Sequence, residues 1–338
     1  MKTTWVSLGI LLLAFASRSS SGDEHDRLSV RDREVTLLAR EVEGSAPSWA
    51  PDGSAIVVGS ARGGILIVPV AHTPVHVITG NPFHNGPTWA PTDDRIAFVD
   101  ESQQDSKDVY LVEYLRNLEP QRLPLSGKVY VAEQPWSPDG SSLLYWTETG
   151  DVRTFGVADQ KSKSVATGGG GCVRGGISQL RWNRTGSITA TGATSGVMIL
   201  RPGDSTWRCL SERPGRQAIE GPNGAVWWIA GRNTLEVYRG GEEARITLDG
   251  DVSSLDVNPR NGSAVVAIFK KGLFLVSSDG SATSLLIGPN EARTSSGVGT
   301  ERYPSDGVPV WSPDGTMVAF VRLEGSSSAD LCVISVEE

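Results

Sequence analysis

Three of the four histidines in this 338-residue chain, His72, His76 and His84, lie close together in the sequence. Imidazole is a common metal ligand, so this spacing raises the question of a metal site. We expect His72 in a turn between two strands and His84 in a connector beyond the second of them. A strand advances roughly 3.3 Å per residue, so the three rings should not converge on one ion. The sequence therefore predicts no metal or cofactor site, and it suggests no catalytic residue.

A second set of residues could bind an anion. Guanidinium groups bind carboxylate or phosphate through paired hydrogen bonds, and clustered cations on an acidic protein would attract an anionic ligand. We expect these residues in loops at one end of the molecule, although solvated loop side chains are the alternative. The candidate ligand-binding residues are Arg62, Phe83, His84, Tyr130, Arg174, Arg232, Lys270, Arg293, Arg302 and Tyr303.

A recurring phrase indicates the elements that position these residues. Trp-(Ala/Ser)-Pro-Asp-Gly occurs three times, at 49–53, 136–140 and 311–315. Weaker copies begin at Trp89, Trp182, Glu220 and Val257. We number the copies as repeats 1 to 7 in chain order and call their first position the Trp slot. Successive Trp slots are 40, 47, 46, 38, 37 and 54 residues apart. Propeller blades of four strands repeat every 40 to 50 residues or so. The sequence therefore predicts an all-β, seven-bladed β-propeller, with six blades as the alternative.

Each phrase predicts a tight turn between two strands. Pro presets the second position of a type I turn, Asp tolerates the third, and Gly supplies the left-handed residue. Alternating apolar runs such as 95–99 and 317–321 follow the turns and are typical of strands. We expect the slot tryptophans to pack between neighbouring blades, which is a structural role. They are Trp49, Trp89, Trp136, Trp182 and Trp311.

The two ends of the repeat region complement each other. The last repeat supplies three strands, of which the third is 330–336, and an additional strand at 34–40 precedes the first Trp. We expect the N-terminal strand to complete the last blade. Such closure removes the exposed sheet edges that favour aggregation.

The phrase resembles the TolB-type propeller repeat, which occurs in periplasmic TolB proteins, tricorn-type proteases, relatives of prolyl oligopeptidase and some oligogalacturonate lyases. The resemblance covers nearly all of the chain after the first 33 residues, and it implies a propeller without fixing a function. Two features depart from the family. The sequence shows no separate N-terminal α/β domain of the TolB kind, and no hydrolase domain with a Gly-x-Ser-x-Gly elbow follows the repeats.

The N-terminal segment predicts export. Residues 1–16 read as a signal peptide, with cleavage after Ala16 or as late as residue 22. We interpret 17–33 as a flexible lead-in and 34–338 as a single β-propeller domain. The apolar run from Trp5 to Ala16 is shorter than the ~20 residues that a spanning helix needs, although an uncleaved anchor is the alternative. We expect a periplasmic or secreted protein without a transmembrane span in its mature form.

Charge and cysteine content narrow the function. The formal net charge of −8 disfavours nucleic-acid binding, which requires a basic surface. An exported protein could form a disulfide between Cys172 and Cys209, although buried thiols are equally compatible with the sequence.

Two functional classes remain. The favoured class is a monomeric, non-catalytic module that uses its loop face to bind an envelope or extracellular protein, a peptide or an anionic glycan. The alternative is a carbohydrate-active enzyme, such as a lyase on anionic polysaccharide, in which loop cations neutralise uronate carboxylates.

Overall fold

The computed structural model describes residues 35–71, 74–102, 107–125, 127–166, 172–288, 308–323 and 329–336. The chain divides into two units, Met1–Arg31 and Asp32–Glu338, and all described residues lie in the second. Every regular element in the described ranges is a β-strand. Short apolar runs bounded by Gly, Pro, Asn and Asp form strands because each run is too short for a packed helix.

The strands follow one another in groups of four. β1 (Val35–Val42) precedes repeat 1, which contains β2 (Ser48–Trp49), β3 (Ala55–Gly59), β4 (Ile65–Pro69) and β5 (His76–Thr79). Repeat 2 contains β6 (His84–Trp89), β7 (Arg95–Asp100), β8 (Asp108–Glu113) and β9 (Asn117–Arg122). Repeat 3 contains β10 (Val129–Trp136), β11 (Ser142–Thr147), β12 (Val152–Gly156) and β13 (Lys161–Ala166).

The same order continues in the second half of the chain. Repeat 4 contains β14 (Ile177–Trp182), β15 (Ile188–Gly192), β16 (Val197–Leu200) and β17 (Arg208–Ser211). Repeat 5 contains β18 (Arg216–Glu220), β19 (Val226–Ile229), β20 (Thr234–Arg239) and β21 (Glu242–Thr247). Repeat 6 contains β22 (Val252–Val257), β23 (Ala264–Ile268), β24 (Gly272–Val276) and β25 (Thr283–Ile287). Repeat 7 contains β26 (Val310–Trp311), β27 (Met317–Leu323) and β28 (Ala329–Ser335).

Each group forms an antiparallel sheet whose strands pair in chain order. Repeats 3 and 4 are joined into one eight-stranded sheet by a single parallel pair, Gln134 with Arg181. The N-terminal strand completes the sheet of repeat 7, as the sequence predicts, because β1 pairs with β28 from Val35 opposite Ile334 to Val42 opposite Ala329.

The turn after the Trp slot is closed by its own side chains in the regular repeats. In repeat 3 the Ser137 hydroxyl donates to Asp139 Oδ1 at 2.6 Å, and Asp139 also accepts from the Ser141 amide at 3.0 Å. Gly140 has φ +69°, the left-handed conformation that favours glycine. The phrase therefore encodes a turn that its own side chains close, and Thr92 and Arg95 of repeat 2 also donate to its Asp139 and Gly140 carbonyls, at 3.2 and 2.9 Å.

Hydrophobic clusters fill the space between each repeat and the next. One further cluster joins the two ends of the series, because Trp49 and Val58 pack with Val321 and Leu331 of repeat 7. The Trp49 indole donates to the Val310 carbonyl of repeat 7 at 3.0 Å, and the Trp136 indole donates to the Thr88 carbonyl of repeat 2 at 3.1 Å. Four of the slot tryptophans are buried and Trp182 is half-buried, in agreement with the predicted packing between repeats.

A disulfide lies within repeat 4. Cys172, in the connector before β14, is bonded to Cys209 of β17, 37 residues later. A bridge closing a loop of this length typically stabilises a domain by about 2–4 kcal/mol. The third cysteine, Cys332, is buried in β28.

Candidate ligand site at the hairpin end

All seven Trp-slot turns meet at one cavity of about 530 Å³, which we call the hairpin cavity. The residue two places after the Trp slot lines it in every repeat. In six repeats this residue is a proline, and in repeat 4 it is Arg184. The prolines are Pro51, Pro91, Pro138, Pro222, Pro259 and Pro313. Apolar prolines thus occupy six of the seven equivalent positions, and one long cationic side chain occupies the seventh.

A charge pair crosses the hairpin cavity. Arg181 and Asp256 both precede a Trp slot, in repeats 4 and 6, and Arg181 Nη2 lies 3.1 Å from Asp256 Oδ1. The other oxygen of Asp256 accepts from the Trp311 amide at 2.9 Å. Asp256 is therefore fully engaged and joins repeats 4, 6 and 7 at the cavity wall.

Arg184 has a different environment. Its Nη1 donates to the Pro313 carbonyl at 3.3 Å, across the cavity from its own turn. Within the described residues, no carboxylate lies within 4 Å of its guanidinium, whereas Arg181 has Asp256. Burial lowers the pKa of Arg184, and Arg181 lowers it further, while Asp256 acts in the opposite direction. Arg184 is nevertheless exposed to solvent, and within the described residues its one hydrogen bond is to that carbonyl.

The Trp slot of repeat 5 holds Glu220, which is neutralised locally. Arg201 Nη2 lies 2.9 Å from Glu220 Oε1, and the Thr185 hydroxyl donates to Glu220 Oε2 at 2.6 Å. The Glu220 amide donates to Asn183 Oδ1 at 3.0 Å. These contacts fix the turn that carries Arg184 against repeat 5.

A smaller cavity of about 220 Å³ lies next to the first, and Gln134 lines both. Its wall includes Glu133, whose carboxylate accepts from Gln179 Nε2 at 2.7 Å. Burial raises the pKa of Glu133, although Arg181 and Gln179 oppose the rise. Gln179 Oε1 in turn accepts from the Gln217 amide at 2.7 Å. Amide side chains therefore connect repeats 3, 4 and 5 at this level.

The first strand of each repeat begins at the connector from the previous repeat and ends at the Trp slot. The predicted loop face therefore lies at the end of these strands that is opposite the hairpin cavity. The structure shows connectors touching the loops between second and third strands. The Glu101 amide, after β7, donates to the Phe83 carbonyl in the connector before β6 at 2.9 Å, and the Arg174 amide donates to the Ser195 carbonyl at 3.0 Å. These two classes of loop do share a face, as the sequence predicts.

The described members of the predicted ligand set do not converge on a common cavity. None of them lines either cavity described above. Arg62 is paired with Glu41 at 2.5 Å, with both side chains largely exposed. Arg174 and Arg232 are exposed, and the Lys270 ammonium lies 5.5 Å from the centre of the Phe269 ring. Arg293, Arg302 and Tyr303 lie outside the described residues.

The aromatic members of the set have separate environments. Phe83 is half exposed, and the Tyr130 ring stacks on Trp146 with 5.4 Å between centroids. His84 is buried at the start of β6, not in the connector where the sequence placed it. Its Nδ1 lies 2.9 Å from Thr79 Oγ1, and its Nε2 lies 3.5 Å from Asp100 Oδ2. The His84 side chain is thus enclosed by protein groups.

The described residues contain neither a cluster of metal-ligating side chains nor a membrane-spanning helix. No group of three or more His, Cys, Asp and Glu side chains is arranged to hold a metal ion there, and His72 lies outside the described ranges. In the same ranges, no helix is long and apolar enough to cross a membrane.

The sequence analysis does not predict the charged residues of the hairpin cavity as ligand-binding residues. Arg181, Arg184 and Asp256 lie in segments that the sequence predicts to be strands and turns. One signal was present, since Arg184 replaces the proline that the other six repeats carry at the equivalent position. Arg cannot perform the conformational role of Pro in a turn, so the turn itself does not explain a cation at this position.

Comparison with solved structures places the chain among β-propeller-type proteins. An oligogalacturonate lyase in complex with manganese matches with a TM-score of 0.64 and 14% identity, over 92% of this chain and 95% of that one. YCF48 bound to D1 peptide matches with a TM-score of 0.63 and 11% identity, over 92% and 99%. A chain of a mitotic checkpoint complex matches with a TM-score of 0.63 and 14% identity, over 98% and 100%.

No protein-family profile and no curated protein sequence matches the chain. At the identities of the structural matches, the likeness establishes the β-propeller fold and leaves the activity open.

Proposed function

We propose that the protein is a seven-bladed β-propeller that acts as a non-catalytic binding module. Five sheets of four strands and one of eight, in the described residues, correspond to seven blades when the eight-stranded sheet is divided at its single parallel pair. The cluster that joins repeat 1 to repeat 7 supports a closed ring. The TolB-type resemblance of the repeats and the predicted signal peptide at 1–16 favour an exported member of that repeat class, which we propose acts as a monomer.

The ligand that we propose is a peptide segment of an envelope or extracellular protein, bound in the hairpin cavity. A single observation carries this proposal: all seven repeats contribute to one cavity of about 530 Å³, within the range that accommodates small ligands. Its prolines and half-buried Trp182 offer apolar contact, and its charged groups offer orientation. This places the site at the opposite end from the loop face expected from the sequence.

A second candidate is a lyase on anionic polysaccharide. It is favoured by the similarity to an oligogalacturonate lyase and by the cation Arg184 in the cavity, which could neutralise a uronate carboxylate. One observation disfavours this candidate. Asp256, an acidic side chain in the cavity, already binds Arg181 and the Trp311 amide, so its carboxylate is poorly placed to act as a base.

Selection from a displayed library of random peptides tests the proposal. The parent is compared with Gln134→Trp, which fills the cavity, and with the loop-face variant Arg62→Glu/Arg174→Glu/Arg232→Glu, after each has been checked for folding. We expect enriched peptides to bind the parent and the loop-face variant but not Gln134→Trp.

Each other outcome has a definite meaning. Binding that survives Gln134→Trp and is lost in the loop-face variant moves the site to the loop face and overturns the cavity assignment. Failure to enrich any peptide overturns peptide binding. Release of unsaturated products from polygalacturonate by the parent would favour the lyase instead.

A further inference from the structure

We infer that Arg184 is a receptor for a carboxylate of the ligand in the hairpin cavity, which rests on the proposed function of that cavity. The ligand carboxylate is either the C-terminus of a peptide segment or an Asp or Glu side chain within it. The inference begins from the position of Arg184. Seven equivalent positions line the cavity, and the only one that carries a charge among them is Arg184.

Among the charged residues of the cavity wall, Arg184 has no carboxylate partner within the described residues. The ionisable residues that line the hairpin cavity are Arg181, Arg184, Glu220 and Asp256. Asp256 pairs with Arg181 at 3.1 Å, and Glu220 pairs with Arg201 at 2.9 Å. Both carboxylates are therefore satisfied by other guanidinium groups. One positive charge, that of Arg184, is left to attract an anion.

The chemistry of guanidinium specifies the kind of anion. Arg184 carries five N–H donors, and within the described residues its contact is one carbonyl, that of Pro313 at 3.3 Å. The remaining donors can form the paired hydrogen bonds that match a carboxylate. Because Arg184 is exposed to solvent, a ligand carboxylate can reach these donors.

The turn holds Arg184 in place for this role. Asn183, before it, accepts from the Glu220 amide at 3.0 Å, and Thr185, after it, donates to Glu220 Oε2 at 2.6 Å. Repeat 5 therefore anchors the backbone on both sides of Arg184. A receptor whose backbone is fixed in advance loses less entropy when its ligand binds.

Calorimetric titration with one selected peptide tests the inference. The parent is compared with Arg184→Gln, which removes the charge, and with Arg184→Pro, which restores the residue of the other repeats. Arg260→Gln is the matched control, because Arg260 is an exposed arginine on the turn of repeat 6 that does not line the cavity. We expect both Arg184 variants to weaken binding about 10- to 100-fold, the range for a hydrogen bond to a charged group, and Arg260→Gln to leave it unchanged.

Two forms of the peptide identify the source of the carboxylate. If a C-terminal amide binds as weakly to the parent as the free acid binds to Arg184→Gln, the C-terminus is the ligand group. If the amide binds normally and replacement of Asp and Glu by Asn and Gln abolishes the Arg184 dependence, a side chain is the ligand group.

The failures are distinguishable. Equal affinity of parent, Arg184→Gln and Arg184→Pro for a peptide that Gln134→Trp excludes overturns the role of Arg184 and leaves the binding function intact. Absence of peptide binding to the parent overturns the proposed function together with the peptide carboxylate. In that case, oligogalacturonate that binds the parent and not Arg184→Gln would transfer the receptor role to a uronate.

Discussion

Repeats 3 and 7 close their Trp-slot turns with their own side chains, whereas repeats 4 and 6 use the same position to hold their neighbours. Ser137 and Ser312 each donate to the Asp two residues later, at 2.6 Å. In repeats 4 and 6 the equivalent residue is Asn. Asn183 accepts from the Glu220 amide of repeat 5, and Asn258 donates to the Gly315 carbonyl of repeat 7 at 3.0 Å.

The difference separates two tasks of one turn. A turn closed by its own side chains stabilises its own hairpin and presents a proline to the cavity. A turn anchored to the next repeat can present another side chain at that place, as repeat 4 does with Arg184. Repeats 4 and 6 also supply Arg181 and Asp256, the charge pair across the cavity. The less regular repeats thus carry the polar chemistry, and the regular repeats carry the packing.

The largest expected effect on stability is the difference between the slot tryptophan of a regular repeat and that of a less regular repeat. Trp311 of repeat 7 is 0% exposed, and Trp182 of repeat 4 is half-buried. We expect Trp311→Ala to reduce the free energy of unfolding by about 3–5 kcal/mol, the cost of a buried cavity. Trp182→Ala should cost about 1–2 kcal/mol because less apolar surface is lost. Denaturation in urea measures both, and equal losses would contradict the division of tasks.

An intermediate effect should distinguish the residues that close the turns. Asn183 is 2% exposed, and its Nδ2 donates to Ser187 Oγ at 3.1 Å. Asn183→Ala leaves the Ser187 hydroxyl and the Glu220 amide without this partner, which should cost about 1–3 kcal/mol. Ser137 is also buried, at 4% exposed, but its partner Asp139 is exposed and can bond water instead, so Ser137→Ala should cost about 1 kcal/mol or less.

The same denaturation assay serves for this pair. A larger loss in Ser137→Ala than in Asn183→Ala would show that the regular turn, not the anchored one, is the stronger constraint.

The smallest effect is the contribution of the regular turns to the pH dependence of stability. Hydrogen bonds from Ser137 and Ser141 lower the pKa of Asp139, and Ser312 and Thr316 lower that of Asp314 although burial opposes them. A lowered folded-state pKa contributes stability above the unfolded value, about 3.9, and this contribution is lost as pH falls through the folded value.

We therefore expect the parent to lose stability below about pH 4 to 5, and Asp139→Asn/Asp314→Asn to show a shallower loss in thermal denaturation across this range. Repeat 4 has Thr185 at the equivalent position and contributes no such term. Asp204→Asn, which lies outside the Trp-slot turns, is the control. An unchanged slope in the double variant would show that other carboxylates dominate acid unfolding.

The repeat phrase predicted much of the fold. It predicted the order of four strands per repeat, the turns, the burial of the slot tryptophans and the addition of β1 to the last sheet. It did not predict that His84 begins a strand and is buried, because its exposure depends on the rings of Phe98 and Tyr110 that pack on it. The pairing of Cys172 with Cys209 was one of two readings, and the structure has the disulfide.

The sequence by itself determined local structure, because turn and strand preferences depend on residues a few positions apart. Only the tertiary structure decided which side chains meet at the hairpin cavity. Arg181 and Asp256 are 75 residues apart in the chain, and Arg184 and Pro313 are 129 apart. Their proximity depends on the angle at which each sheet packs against the next. These angles add up over several repeats, so the sequence of a single repeat does not determine which side chains meet.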